Sequence, residues 1–117
     1  MRILVTGASG FVGSEIIRQL GQISDCEPVA ALRRPASVPG AATVIVGELG
    51  PQTDWAAALD GIDAVVHCAG RAHQLNDRAA DSLGEFRRVN VEGTRRLAEC
   101  AAAAGVRRFI YLSSAKV

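Results

Sequence analysis

Lysine is nearly missing from this 117-residue chain: Lys116 is the only one, and the remaining cationic residues are arginines. Thirteen Lys and Arg stand against twelve Asp and Glu, so a net charge of +1 offers no excess positive field to a nucleic-acid duplex or an anionic membrane surface. Aromatic residues are few and scattered (Phe11, Trp55, Phe86, Phe109 and Tyr111), which provides no platform on which single-stranded bases could stack. The three cysteines, Cys26, Cys68 and Cys100, are odd in number and include no Cys-x-x-Cys pair. That fits neither a disulfide framework nor a zinc knuckle, and it suits a reducing compartment. No stretch approaches the roughly 18 apolar residues of a membrane span, and the run from Met1 to Val5 is too short for a signal peptide. These absences lead to the expectation of a soluble, cytoplasmic protein with no nucleic-acid or membrane partner. What is present suffices for a folded core, because 49% of residues are hydrophobic and only 21% are charged. The length allows one domain, spanning 1–117, or a piece of a larger one.

Short β-branched runs alternate with helical periodicity along the whole chain. Ile3-Leu4-Val5 reads as a buried strand stopped by Thr6-Gly7. From Phe11 to Leu20, Val12, Ile16, Ile17 and Leu20 fall on one helical face, with Gly21 as the stop. Residues 28–33 form a second strand and 43–46 a third. Thr53-Asp54 is positioned to cap a short alanine-rich helix through Leu59, and 62–68 make a fourth strand. Ser82-x-x-Glu85 is a capping-box pattern that opens the longest helix, whose inner face is Leu83, Phe86, Gly93, Leu97, Ala101 and Ala104. Arg88, Glu92, Arg95, Arg96 and Glu99 fall opposite, a solvated face with Glu92 and Arg96 at ion-pairing spacing. Residues 109–113 form a fifth strand. Strands separated by helices require right-handed crossovers, which predicts an α/β fold. The expected form is a Rossmann-like, doubly wound parallel sheet in the order 3-2-1-4-5, binding its ligand beyond the carboxyl ends of strands 1 and 4.

Gly7-x-x-Gly10-x-x-Gly13 joins the first strand to the first helix. A dinucleotide site needs glycines there for the tight turn, for backbone approach to a pyrophosphate and for close helix packing. The helix N-terminus adds free N–H groups and the positive end of a dipole. A tight turn could use the same residues structurally, but other phosphate and nucleophile motifs fail: a P-loop needs Gly-Lys-Ser/Thr, and a nucleophile elbow needs Gly-x-Ser-x-Gly. Twenty residues past Gly13, where an NAD-preferring site would carry an acid for the ribose hydroxyls, stand Arg33 and Arg34. They suit a 2′-phosphate, hence NADP with NAD as the alternative, or they are two arginines on a solvated loop. His67 sits on an apolar strand and reads as a packed, hydrogen-bonded histidine. His73 has no ligand partners at metal spacing, so no metal is expected. Asn90 lies on the sheet-facing side of its helix, where its amide must be satisfied, either structurally or by ordering groups beside a cofactor.

The pieces Val5-Thr6-Gly7-Ala8-Ser9-Gly10-Phe11-Val12-Gly13, Asp63-Ala64-Val65-Val66-His67-Cys68-Ala69-Gly70, Val89-Asn90-Val91-Glu92-Gly93-Thr94 and Arg108-Phe109-Ile110-Tyr111-Leu112-Ser113-Ser114-Ala115 occur in order along the chain. Together they resemble the extended short-chain dehydrogenase/reductases, NAD(P)-dependent nucleotide-sugar epimerases, dehydratases and reductases. The run Arg71-Ala72-His73 through Asn76-Asp77, with Ser113-Ser114-Ala115-Lys116-Val117 later, is most similar to the branch acting on UDP-linked N-acetyl-hexosamines in surface-polysaccharide synthesis. The resemblance implies that Phe11 and Val12 place backbone N–H groups on the pyrophosphate and that Glu48-Leu49 packs beside adenine. It further implies that Cys68-Ala69-Gly70 lines the cofactor near the nicotinamide. Ser114 matches the serine that hydrogen-bonds the reacting sugar oxygen, although a serine at a strand end also satisfies backbone groups. Glu48 departs mildly from the aspartate frequent in the family.

The larger departure is an absence. The family's acid/base is a tyrosine in Tyr-x-x-x-Lys, whereas Tyr111 and Lys116 are five apart on an extended segment. The chain is therefore expected to be an N-terminal portion, inactive alone, of an enzyme on a nucleotide sugar such as a UDP-linked hexose or N-acetyl-hexosamine. Arg33-Arg34 favours a 4-keto reduction consuming NADPH. The competing reading is a non-catalytic NADP sensor or interaction module. An exposed fifth strand adds the expectation of a homodimer.

Overall fold

In the computed structural model, residues 1–68 and 82–112 are described, except for the side chains of Ser82, Glu85 and Phe86. Strand β1 (Arg2–Thr6) lies at the centre of a parallel sheet, hydrogen-bonded to β2 (Glu27–Leu32) on one side and to β4 (Ala64–His67) on the other. β3 (Ala42–Ile45) pairs with β2, and β5 (Arg108–Tyr111) pairs with β4, which completes the expected order β3-β2-β1-β4-β5. The strand ends differ from the sequence expectation by a residue or two.

Alternation along the buried strands creates two cores. Leu4, Val29, Ala31 and Val65 face one side, where they pack with Trp55, Leu59, Leu97 and Ala101 from the segments of α2 (Ala56–Leu59) and α4 (Gly93–Ala103). Ile3, Val5, Ala30, Leu32, Ala64 and Val66 face the other side, against Ile17 of α1 (Phe11–Leu20). With both faces covered, the central strands have no polar side to show, which is why they read as apolar runs.

α1 has the predicted bounds, but Val12 is half exposed, and Gly13 and Ile17 are the residues it buries. Its C-cap, Gly21, has φ −63°, so the helix ends without the left-handed glycine expected of a stop. At α2, Asp54 Oδ1 accepts a hydrogen bond from the Ala56 N–H at 3.0 Å. Thr53 does not cap the helix: its hydroxyl bonds to the Glu48 and Gly50 carbonyls and accepts from the Gly50 N–H, holding the loop after β3.

The long helix is the main correction. It runs as α3 (Ser82–Arg87), then a π-helical turn over Arg88–Glu92, then α4, with the Gly93 N–H donating to the Arg88 carbonyl five residues back. An α-helix advances about 100° per residue, so the extra residue of a π turn turns everything before it away from the face continued after it. Gly93, Leu97 and Ala101 are buried as expected, while Leu83 is 53% exposed and Ala104 is exposed. The polar face also differs: Arg95, not Arg96, approaches Glu92 (3.7 Å), and Arg96 Nε donates to the Thr53 carbonyl at 3.1 Å. Gly105, at φ +81°, ends the helix in the left-handed conformation that favours glycine.

Candidate functional site

The carboxyl ends of β1, β2, β3 and β4 open onto a cleft of about 400 Å³. Its phosphate-sized end is the loop Gly7-Ala8-Ser9-Gly10. Gly7 adopts φ +65°, so the chain turns sharply off β1, and the Gly10 N–H closes the turn onto the Gly7 carbonyl at 3.0 Å. Gly10 then extends (φ −80°, ψ 175°) into α1, whose first intrahelical bond runs from Ser14 N–H to the Gly10 carbonyl. The amides of Phe11, Val12 and Gly13 precede that bond and are the donors an α-helix leaves without an intrahelical acceptor. Among the described residues no side chain caps the helix start.

The glycines have separable tasks. A Cβ on Gly13 would sit 2.1 Å from the Gly7 carbonyl oxygen and 2.7 Å from its carbon, so this position lets helix and loop touch. A Cβ on Gly10 would meet the Gly7 oxygen at 3.3 Å, a tight but smaller conflict, at a residue that lines the open cleft. Such a cradle, with free amides at the positive end of a ten-residue helix, fits the pyrophosphate of a dinucleotide.

Of the residues singled out from the sequence, Gly7, Gly10, Arg33, Glu48, Leu49 and Cys68 line this one cleft. Arg33 and Glu48 face each other, Nη1 to Oε2 at 3.8 Å, with both side chains exposed. Gly13 packs behind the loop. Phe11 and Val12 are not in the lining, and the Phe11 ring is 93% exposed beside it. Arg34 and Asn90 are not brought to the lining either: Asn90 lies in the π turn, and its neighbours Arg88 and Val89 reach the cleft instead. Ala69, Gly70 and Ser114 lie outside the described residues.

Arg88, Val89 and Trp55 are among the lining residues that sequence reasoning missed. Arg88 is exposed, as the solvated-face reading expects, but it also reaches the cleft, which an uninterrupted helix does not predict. The signal for a break was local: β-branched Val89 and Val91 followed by Gly93 are poor helix formers in succession. Trp55 is 1% exposed at the cleft floor, and its indole N–H has no hydrogen-bond partner among the described residues.

His67 ties the site together at the end of β4. It is 1% exposed, its Nδ1 lies 2.6 Å from Thr6 Oγ1 at the end of β1, and its Nε2 lies 3.0 Å from Thr94 Oγ1 on α4. Thr6 Oγ1 also accepts the Cys68 N–H at 3.0 Å, so one imidazole fixes the two strand ends between which the cleft opens. Tyr111 stacks on the ring at 5.5 Å. Burial lowers its pKa from 6.5 to about 4, so the ring is neutral near pH 7, with one nitrogen donating and the other accepting. This is the packed histidine expected from the sequence. Burial pushes the Cys68 thiol up, the opposite of an activated nucleophile. The described residues contain no group of His, Cys, Asp or Glu that could hold a metal ion, and no helix among them is long and apolar enough to cross a membrane.

A glycine cradle at the switch between β1 and β4 is a nucleotide-binding geometry, and the whole sequence agrees with it: the family model for the NAD dependent epimerase/dehydratase family matches residues 3–117. The chain belongs to that family. Among epimerase/dehydratase relatives it is similar to UDP-glucose 4-epimerase of Vibrio cholerae, 40% identical over 115 residues, covering 98% of this chain and 35% of the relative. A short-chain dehydrogenase/reductase superfamily protein from Agrobacterium tumefaciens, solved with bound NAD, is 37% identical with a TM-score of 0.77, covering 97% of this chain and 33% of that one. MoeE5, solved with UDP-glucose and NAD, is 32% identical with a TM-score of 0.77, covering 100% of this chain and 38% of that one. The chain thus spans about a third of the length of the relatives it matches.

Proposed function

We propose that residues 1–117 are the dinucleotide-binding portion of an NAD(P)-dependent enzyme acting on a sugar linked to a nucleotide, a UDP-hexose or UDP-N-acetyl-hexosamine. The observation that carries this reading is the cradle of Gly7, Gly10 and the first amides of α1, set at the mouth of a cleft of the size a dinucleotide half needs. Similarity to proteins solved with NAD, and to one solved with UDP-glucose as well, supports the cofactor and substrate classes. When bound, the nicotinamide would supply hydride exchange with a sugar carbon.

The chain's own residues bind and orient. The cradle takes the pyrophosphate, Leu49 and Glu48 flank the base, and Cys68 with Ala69 and Gly70 borders the path toward the nicotinamide. Neutral His67 braces that border by holding Thr6 and Cys68 in place. Ser114 is assigned the hydrogen bond to the reacting sugar oxygen. Asn90, one residue beyond the lining, is assigned to support of the cofactor site through the π turn.

Arg33 decides between the two dinucleotides. Among the described residues it is paired with the exposed Glu48 carboxylate at 3.8 Å, too long and too solvated a pairing to hold it against a phosphate. Arg33, with Arg34 beside it, therefore favours NADP(H) and a net ketone reduction. Calorimetric titration of the chain with NADP and NAD tests this. NADP should bind about tenfold to a hundredfold more tightly, as charge-assisted hydrogen bonds of roughly 1.5–3 kcal/mol require. The double variant Arg33→Ala/Arg34→Ala should bring the two together. Equal affinities in the parent, or an NAD preference indifferent to the arginines, would refute the assignment.

A further inference from the structure

The helix that covers the first core breaks its own regularity at Arg88–Glu92, and the break is directed at the cleft. π turns are rare and concentrate at functional sites because the wider turn re-aims side chains at a cost in hydrogen-bond geometry. Here the turn ends at Gly93, where a Cβ would lie 3.4 Å from the Gly50 amide nitrogen, so helix and post-β3 loop meet glycine to glycine. Arg96 holds the same approach through the Thr53 carbonyl. With the helix so close, the Arg88 guanidinium lies over Gly50: its Nη1 is 3.0 Å and its Cζ 3.9 Å from the point a Gly50 Cβ would occupy.

Besides the glycine loop, the cleft that Arg88 lines carries an apolar set, Ala31, Leu32, Val46, Leu49, Trp55 and Val89. An apolar slot next to a phosphate cradle suits a flat heterocycle, because the ring gains from burial while the charged linker stays at the amides. A purine offers a π face and ring nitrogens that only accept hydrogen bonds, and a guanidinium offers a plane and donors only. The geometry points to Arg88 as the residue that closes the purine end of the cleft, packing its guanidinium on the base of the dinucleotide. This rests on the dinucleotide reading above, but it gives Arg88 a task different from that of Arg33: it recognises the base, which NAD and NADP share, and is indifferent to the 2′-phosphate.

The test uses Trp55, the sole tryptophan, as a fluorescence reporter at the cleft floor. NAD, NADP, ADP-ribose and inorganic pyrophosphate are titrated into the parent chain, Arg88→Ala and Arg88→Lys. Arg88→Ala should weaken NAD, NADP and ADP-ribose by one common factor of about twofold to fivefold, the scale of a cation–π contact at an exposed site, and leave the NADP-to-NAD ratio and pyrophosphate binding unchanged. Arg88→Lys, which keeps the charge but loses the plane, should recover only part of the loss. Unchanged dinucleotide affinity, a loss confined to NADP, full recovery by lysine, or an equal loss for pyrophosphate each overturns the assignment. A parent chain that binds neither dinucleotide overturns the cleft reading itself, and Arg88 with it.

Discussion

Acidification should destabilise this fold well before its carboxylates are neutralised, and the cause is one side chain. His67 is buried between Thr6 and Thr94, and burial holds its pKa at about 4 in the native chain, against the ordinary 6.5 of an imidazole in the unfolded chain. Between those values the unfolded chain binds a proton that the native chain refuses, so stability falls as pH falls through this window and is flat above it. The full displacement is worth about 3 kcal/mol, and the fraction expressed between pH 8 and pH 5 is about 2 kcal/mol. Urea unfolding followed by far-UV circular dichroism at half-unit steps over that range measures it directly. His67→Gln removes the titration, and although it lowers stability at every pH, it should flatten the slope above pH 5. A parent whose unfolding free energy is level from pH 8 to pH 5, or a slope that survives His67→Gln, would show that the imidazole is not the buried neutral group described.

Two further substitutions separate folding from binding and locate the core. Gly13→Ala forces a methyl to 2.1 Å from the Gly7 carbonyl oxygen and should cost about 2–3 kcal/mol in urea unfolding, whereas Gly10→Val, at an open position, should leave the circular dichroism spectrum near the parent's and abolish dinucleotide binding; identical behaviour of the two would refute the division of labour. Leu97→Ala, at a side chain with 0% exposure between α4 and the sheet, should cost about 3 kcal/mol, and a loss below about 1 kcal/mol would mean that α4 is not packed there.

The elements legible in the sequence are those whose cause is local. β1 and β2 announce themselves as apolar runs because they are buried on both faces, α1 begins where Gly10 extends, and the glycine spacing itself encodes the close contact at Gly13. Strand order followed from the alternation of strands and helices, read with right-handed crossovers as a doubly wound sheet. Arg88 was not legible, since a heptad-like reading assumes constant advance per residue and the π turn violates it by one. Trp55 was hidden for another reason: it lies just outside a four-residue helix too short to show a face, so its place at the cleft floor depends on where the loop after β3 is held by Thr53. The Arg33–Glu48 approach likewise joins two strand ends fifteen residues apart in sequence, a proximity set by β2–β3 pairing.

The position of β1 has a consequence for synthesis on the ribosome. Of these five strands the central one is made first, and its second neighbour, β4, lies about sixty residues downstream, with Thr6 waiting for His67. At roughly 5–20 residues per second, the nascent β1-α1-β2 unit leaves β1 with an open edge for about 2–7 seconds before that partner is translated. During this interval the apolar faces of β1 are half covered and able to pair with the wrong chain. A fold whose centre is laid down first is therefore most vulnerable while it is being born, and its yield should depend on translation rate and on chaperones that shield a strand edge more than its final stability would suggest.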